Sequence, residues 1–129
     1  MSEVRSHLAR KGVNDEDADL ILKWLEEKRY VSETRLAERE VELARGPRKI
    51  GREKVVAKLL ARGVDETIAG DVVLSYDDAD ETNNALSLIG STPRIQNDPE
   101  KAARFLVARG FSEEAVRAAI ERTFPEFEF

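Results

Sequence analysis

The chain has 129 residues, 41% of them hydrophobic and 36% charged, with no cysteine, a single histidine and a formal net charge of -5. The length suits one ordinary domain, and the mixture of charge and apolar residues with only four prolines suits amphipathic helices rather than sheets or disorder. Disulfides, thiolate nucleophiles and cysteine-ligated metals are excluded, and no apolar run approaches the roughly 18 residues that would span a bilayer. With the first ten residues too charged for a secretory signal, a cytoplasmic protein is expected.

In chain order, the first predicted element ends at a turn, Leu8 to Val13, that returns at Leu59 to Val64 and at Leu106 to Phe111. Each copy reads leucine, three residues, glycine, then an apolar residue. Glycine closes a helix in the left-handed conformation, and the apolar residue after it meets the leucine five positions earlier, as in a Schellman ending. Lys11, Arg62 and Arg109 precede the glycines, where the helix dipole favours a cation. The next residues, Asn14, Asp65 and Ser112, can each cap a following helix, and Asp15, Glu66 and Glu113 suit its positive end. The apolar residue before each cap faces Ala18, Ala69 or Val116 at staple spacing.

The second predicted helix carries Ala18, Ile21, Leu22 and Leu25 on one stripe, with Leu20 and Trp24 off it. Those two either lie on an exposed surface of an incomplete first unit or, for Trp24, pack against Tyr30 and nearby turns. A helix is expected to start at Ser32 and run to about Arg45, where Gly46-Pro47 stops it; Glu40 interrupts its stripe of Leu36, Ala37, Val41 and Ala44. Gly51 begins the next helix, and Val55 lies one turn ahead of Leu59 as Val4 does of Leu8 and Ala102 of Leu106. Asp77 or Asp78 starts another helix that runs to about Ile89 before Gly90, Pro93 to Asn97 is a linker-like joint, and Asp98-Pro99 caps the helix leading to Gly110. The end, Phe124-Pro125-Glu126-Phe127-Glu128-Phe129, either docks back onto the last helix or a partner, or frays.

The glycine spacings of 51 and 47 residues fit a repeated unit of three helices. The expected fold is all-α, a curved stack of tandem three-helix repeats: a partial unit over residues 1-31, complete units over 32-76 and 77-124, and a tail over 125-129. The sequence thus begins inside its first repeat.

Charge is unevenly spread. From Arg45 to Arg62 there are seven basic residues and one acid, Glu53, so this stretch carries +6 and the remainder -11. Lys54, Lys58 and Arg62 recur every fourth residue beside Val55, Val56, Leu59 and Leu60, while Arg45, Arg48, Lys49 and Arg52 flank the preceding turn. These seven are the expected partner-binding residues, suited to a phosphate or to carboxylates of a protein partner; a solvated helix face is the other reading. No catalytic residue, cofactor or metal site is expected: His7 has no nucleophilic partner, and Asp77, Asp78, Asp80 and Glu81 read more simply as helix-start acids than as cation ligands. Specific DNA recognition is disfavoured, because the helices after the glycine turns start with acids and no aromatic residue is interleaved among the basic ones.

Several segments resemble the RecX family of recombinase regulators. They are Lys28-Arg29-Tyr30-Val31-Ser32-Glu33 with Arg35-Leu36-Ala37, Gly46-Pro47-Arg48-Lys49-Ile50 leading into Lys58-Leu59-Leu60-Ala61-Arg62-Gly63-Val64, and Arg104-Phe105-Leu106 with Arg109-Gly110-Phe111-Ser112. The resemblance implies tandem three-helix repeats that bind the RecA nucleoprotein filament and inhibit its ATPase, strand-exchange and coprotease activities without any bond-making step. It implies the filament as partner, with auxiliary DNA contacts, no membrane, no small-molecule substrate, and a monomer or weak dimer. The alternative is a helical scaffold or nucleic-acid accessory protein that does not bind a recombinase.

Overall fold

The computed structural model describes residues 2–128. The helices are α1 (Ser2–Arg10), α2 (Asp15–Arg45), α3 (Arg52–Ala61), α4 (Glu66–Val73), α5 (Asp78–Gly90), α6 (Pro99–Ala108) and α7 (Glu113–Thr123), with a 3-10 turn, Pro93–Ile95, ahead of α6. The fold is all-α, in repeated helix bundles.

The three glycine turns form as their sequences dictate. Gly12, Gly63 and Gly110 have φ of 83°, 85° and 86°. The amides of Val13, Val64 and Phe111 donate to the carbonyls of Leu8, Leu59 and Leu106 at 3.1, 3.0 and 3.2 Å, and the glycine amides donate to Ala9, Leu60 and Val107. This pair of bonds is the Schellman ending. The next helix is then capped at once: Asn14 Oδ1 accepts from the Asp17 amide, Asp65 Oδ1 from Thr67 and Ser112 Oγ from Ala115. Asp77 and Asp98 likewise cap α5 and α6.

Two apolar cores result. One is built from the second half of α2 with α3 and α4, around Ala37, Val41, Val55, Leu59, Ile68 and Tyr76. The other is built from α5, α6 and α7, around Leu88, Ile95, Leu106, Phe111, Val116 and Ile120. The first unit is thinner: Ala18 and Leu22 are buried, but Val4, Leu8 and Val13 are only half-buried where their counterparts in the later copies are fully covered. Leu20 and Trp24 are 67% and 53% exposed, and the Lys28 ammonium lies 4.4 Å from the centre of the indole.

Two expectations change. No helix starts at Ser32; α2 runs unbroken for 31 residues, about 45 Å. The physical reason is that neither glycine nor proline stands between Asp15 and Arg45, so nothing stops the helix before Gly46-Pro47. The joint from Pro93 to Asn97 is not a plain linker, for its 3-10 turn drives Ile95 into the second core, and Gln96 Nε2 donates to the carbonyls of Ile89 and Gly90. The tail folds back: Phe124 and Phe127 pack against the α5–α7 core, while Phe129 lies outside the described residues.

Candidate interaction surface

The seven basic residues expected to meet a partner fall on the end of α2, the following turn, α3 and its C-cap, and all four arginines are engaged within the chain. Arg45 pairs with Asp80 at 2.7 Å. Arg48 and Arg62 converge on the two oxygens of Glu40 at 3.0 and 3.2 Å. Arg52 pairs with Asp78 and, at 3.3 Å, with Glu81. Burial by itself would lower the pKa of the Arg52 guanidinium, but the charges and hydrogen bonds of Glu81 and Asp78 outweigh it and the net shift is upward. Lys49, Lys54 and Lys58 have no ion pair among the described residues and are half-buried along their stems.

The acids of this arrangement are what sequence reasoning missed. Glu40 looked like an intruder in an apolar stripe; it is buried because two guanidiniums reach it from residues 8 and 22 positions away. Glu81 looked like one of several helix-start acids, yet it is fully buried. Its carboxylate accepts from the Arg52 amide at 2.9 Å, from the Ser112 amide at 3.3 Å and from the Ser112 hydroxyl at 2.5 Å, and so holds the amino ends of α3 and α7 together. Asp77, Asp78 and Asp80 stay at the surface as a cap and as partners of Arg52 and Arg45. No group of three or more histidine, aspartate or glutamate side chains among the described residues is placed to hold a metal ion, and His7 is exposed.

Beside Glu81 the start of α3 abuts the end of α6. The amides of Gly51 and Glu53 donate to the carbonyls of Arg109 and Gly110 at 2.9 and 3.2 Å, so the free donors of one helix satisfy the free acceptors of another. A β-carbon on Gly51 would come within 2.1 Å of the Gly110 carbonyl oxygen, and one on Gly110 within 2.4 Å of the Lys54 Cβ. Arg109 then reaches back to the turn after α2, donating to the carbonyls of Arg48 and Lys49. It thereby fixes Lys49 in a left-handed conformation, φ 47°. Tyr76 and Asn84 complete the junction: the phenol donates to the Ile50 carbonyl, and the Asn84 amide donates to the phenol and to the Ala44 carbonyl. Burial raises the Tyr76 phenol to about 12, against the opposing hydrogen bond from Asn84.

No protein-family model matches the sequence. The chain is 26% identical over 122 residues to a regulatory protein RecX of Herbaspirillum seropedicae, covering 92% of this chain and 78% of that one. It is 25% identical over 127 residues to the regulatory protein RecX of Bacillus licheniformis, covering 94% of this chain and 48% of the other, so it spans about half of that relative. Its fold matches the crystal structure of RecX from Lactobacillus salivarius with a TM-score of 0.69 at 20% identity, over 95% of this chain and 83% of that one.

Over more than nine-tenths of its length the chain is similar to regulatory proteins RecX, at 25 to 29% identity.

Among the segments that resemble RecX in sequence, two form the junction just described. Gly46 to Ile50 is the turn that Arg109 holds, and Arg109 to Ser112 supplies the carbonyls and the cap that meet α3 and Glu81. The RecX-like segments thus include two that join one three-helix bundle to the next. The signal that could have revealed Arg109 was its register with Arg62 and Lys11 ahead of the three glycines; nothing local marked Glu81 or Glu40, whose partners are distant in sequence.

Proposed function

We propose that this chain is a non-enzymatic regulator that docks on a RecA nucleoprotein filament and lowers its ATPase, strand-exchange and coprotease output. The observation that carries the reading is the state of the basic stretch. Arg45, Arg48, Arg52 and Arg62 shape the turn and the bundle junction through internal pairs, and Lys49, Lys54 and Lys58 remain on the same surface with unspent charge. A cationic surface on a rigid, internally braced support suits an acidic protein face, since little order has to be gained on binding. The RecX relatives, all regulatory proteins by name, support the same reading.

The test is the single-stranded-DNA-dependent ATPase of the cognate RecA against increasing amounts of this protein. Inhibition well below one protein per recombinase would indicate action at filament ends, and inhibition only near equal amounts would indicate occupation along the filament. Absence of any effect would overturn the reading and favour a helical scaffold. Lys54→Glu with Lys58→Glu should weaken inhibition by tenfold or more with the helical circular dichroism unchanged; unaltered inhibition would remove this surface from the account.

A further inference from the structure

The long helix α2 leaves one face uncovered. Its buried positions, Ala18, Leu22, Ala37, Glu40, Val41 and Ala44, all fall on one side of the helix cylinder. On the opposite side the exposed Leu20 and Trp24 are joined by Val31, itself 46% exposed. With Glu27 between the last two, these residues follow the alternating three- and four-residue spacing of a coiled-coil seam. Between Trp24 and Val31 the surface dips into an open hollow of about 410 Å³, lined by Trp24, Glu27, Lys28, Val31, Ser32 and Arg35.

The charges along this face change sign from one end to the other. Asp17 stands at its start and Arg35 towards its far end, Lys23 and Glu27 lie along one edge, and none of the four makes an ion pair among the described residues. In an antiparallel pair of α2 helices centred between Leu25 and Glu26, Leu20 of each copy falls opposite Val31 of the other, over the hollow. Within one residue of that same register, Asp17 meets Arg35 and Lys23 meets Glu27. Trp24 lies beside the two-fold axis, where the second copy covers it. A parallel pair in register would instead set Asp17 on Asp17, Glu27 on Glu27 and Arg35 on Arg35, each a repulsion. One register thus satisfies the apolar pair and both charged pairs, and this self-complementarity points to a second copy of the chain rather than to an unrelated helix.

We infer that the open face of α2 is a self-association surface on which two copies of this chain pair antiparallel about a two-fold axis. The contact uses neither the basic stretch nor a recombinase, so it stands apart from filament docking. It sets the Arg45 ends of the two helices about 60 Å apart, with a bundle seam at each end of the pair. Three apolar side chains from each copy make a small interface for a specific contact, and association in the micromolar range is expected.

The experiment is sedimentation velocity of the full chain alone, from about 1 to 300 μM, with the emission of Trp24, the only tryptophan, followed over the same range. Expected is a passage from monomer to dimer with no larger species, accompanied by a blue shift as the indole leaves water. Leu20→Glu with Val31→Glu should weaken the dimer by about tenfold or more and leave circular dichroism unchanged, both side chains being exposed. Asp17→Lys and Arg35→Glu should each weaken it by about threefold, and the two together in one chain should restore it, because the reversed charges pair again only when the helices run antiparallel. A chain that stays monomeric throughout, association that survives Leu20→Glu with Val31→Glu, or a charge-swapped chain no better than its single variants would each overturn the inference. If the chain is monomeric and Leu20→Glu with Val31→Glu abolishes RecA inhibition, the face belongs to a different protein and the inference fails while filament docking stands.

Discussion

Glu33 and Glu81 occupy matching places in successive bundles. Each lies on the first helix of its bundle and accepts from the amide of the residue that caps the last helix, Asp65 or Ser112, at 3.3 Å in both cases. There the likeness ends. Glu33 finds its other partner one turn back in its own helix, Arg29, and its side chain keeps 14% exposure. Glu81 has none, for it is enclosed by the amide and guanidinium of Arg52 from the preceding bundle and by the Ser112 hydroxyl. One carboxylate closes a bundle on itself; the other also ties that bundle to its neighbour. The difference teaches that the two apolar cores are joined by a seam that is mainly polar, where hydrogen-bond geometry rather than buried area sets the relation of one bundle to the next.

The largest effect should come from breaking the asymmetry. Glu81→Ala would leave Arg52 half-buried without its main counter-charge and two helix starts short of an acceptor, a loss of about 3 kcal/mol or more. Glu33→Ala removes a partly solvated contact and should cost less than about 1 kcal/mol. Urea unfolding of the two variants measures both; equal losses would mean that the seam is no more demanding than a bundle interior.

The glycines sharpen the comparison next. Gly51→Ala has no backbone strain, at φ -80°, yet its new methyl would meet the Gly110 carbonyl, so about 2 kcal/mol should be lost as the seam opens. Gly12→Ala meets nothing within 4 Å and should cost about 1 kcal/mol from its left-handed φ alone. Thermal denaturation of the pair distinguishes packing from conformation.

A smaller effect belongs to Tyr76. Tyr76→Phe leaves the Ile50 carbonyl without its donor and should cost about 1 kcal/mol at neutral pH. The phenol is held neutral in the folded chain, with its pKa raised from 10 to about 12. Its contribution is therefore complete below pH 10 and lost as the pH climbs towards 12, because the unfolded chain ionises first. Stability of the natural chain should fall across that window more steeply than that of Tyr76→Phe. Parallel decline would show that the Tyr76 phenol does not govern this part of the alkaline response.

What could be read in the sequence divides along the same line. The glycine turns, their caps and the apolar positions around Leu8, Leu59 and Leu106 are local: every bond that makes them lies within six residues, so a short window of sequence contains both partners. The seam is not local. Arg109 meets Arg48 and Lys49 across 61 and 60 residues, Glu81 meets Arg52 across 29, and Asn84 meets Ala44 across 40. A buried acid such as Glu40 is anomalous in a stripe until its two arginines are placed beside it. The expected start at Ser32 supplied the first helix of a three-helix unit, whereas the backbone responds only to local stop signals and finds none before Gly46. Likewise, four of the seven basic residues assigned to a partner carry ion pairs inside the molecule, which spacing along a helix cannot reveal.

The unbroken α2 has a mechanical consequence. Its carboxyl end is gripped by α3, α4 and the seam, while its amino half carries α1 and the exposed Leu20 and Trp24. With its hold reaching to Glu33, which accepts from the Asp65 amide, the free arm is about 27 Å long and works as a lever: a tilt of 10° there would sweep Asp15 through about 5 Å. Any tilt of that arm would reach its tip undiminished, since no glycine or proline along the shaft offers a hinge.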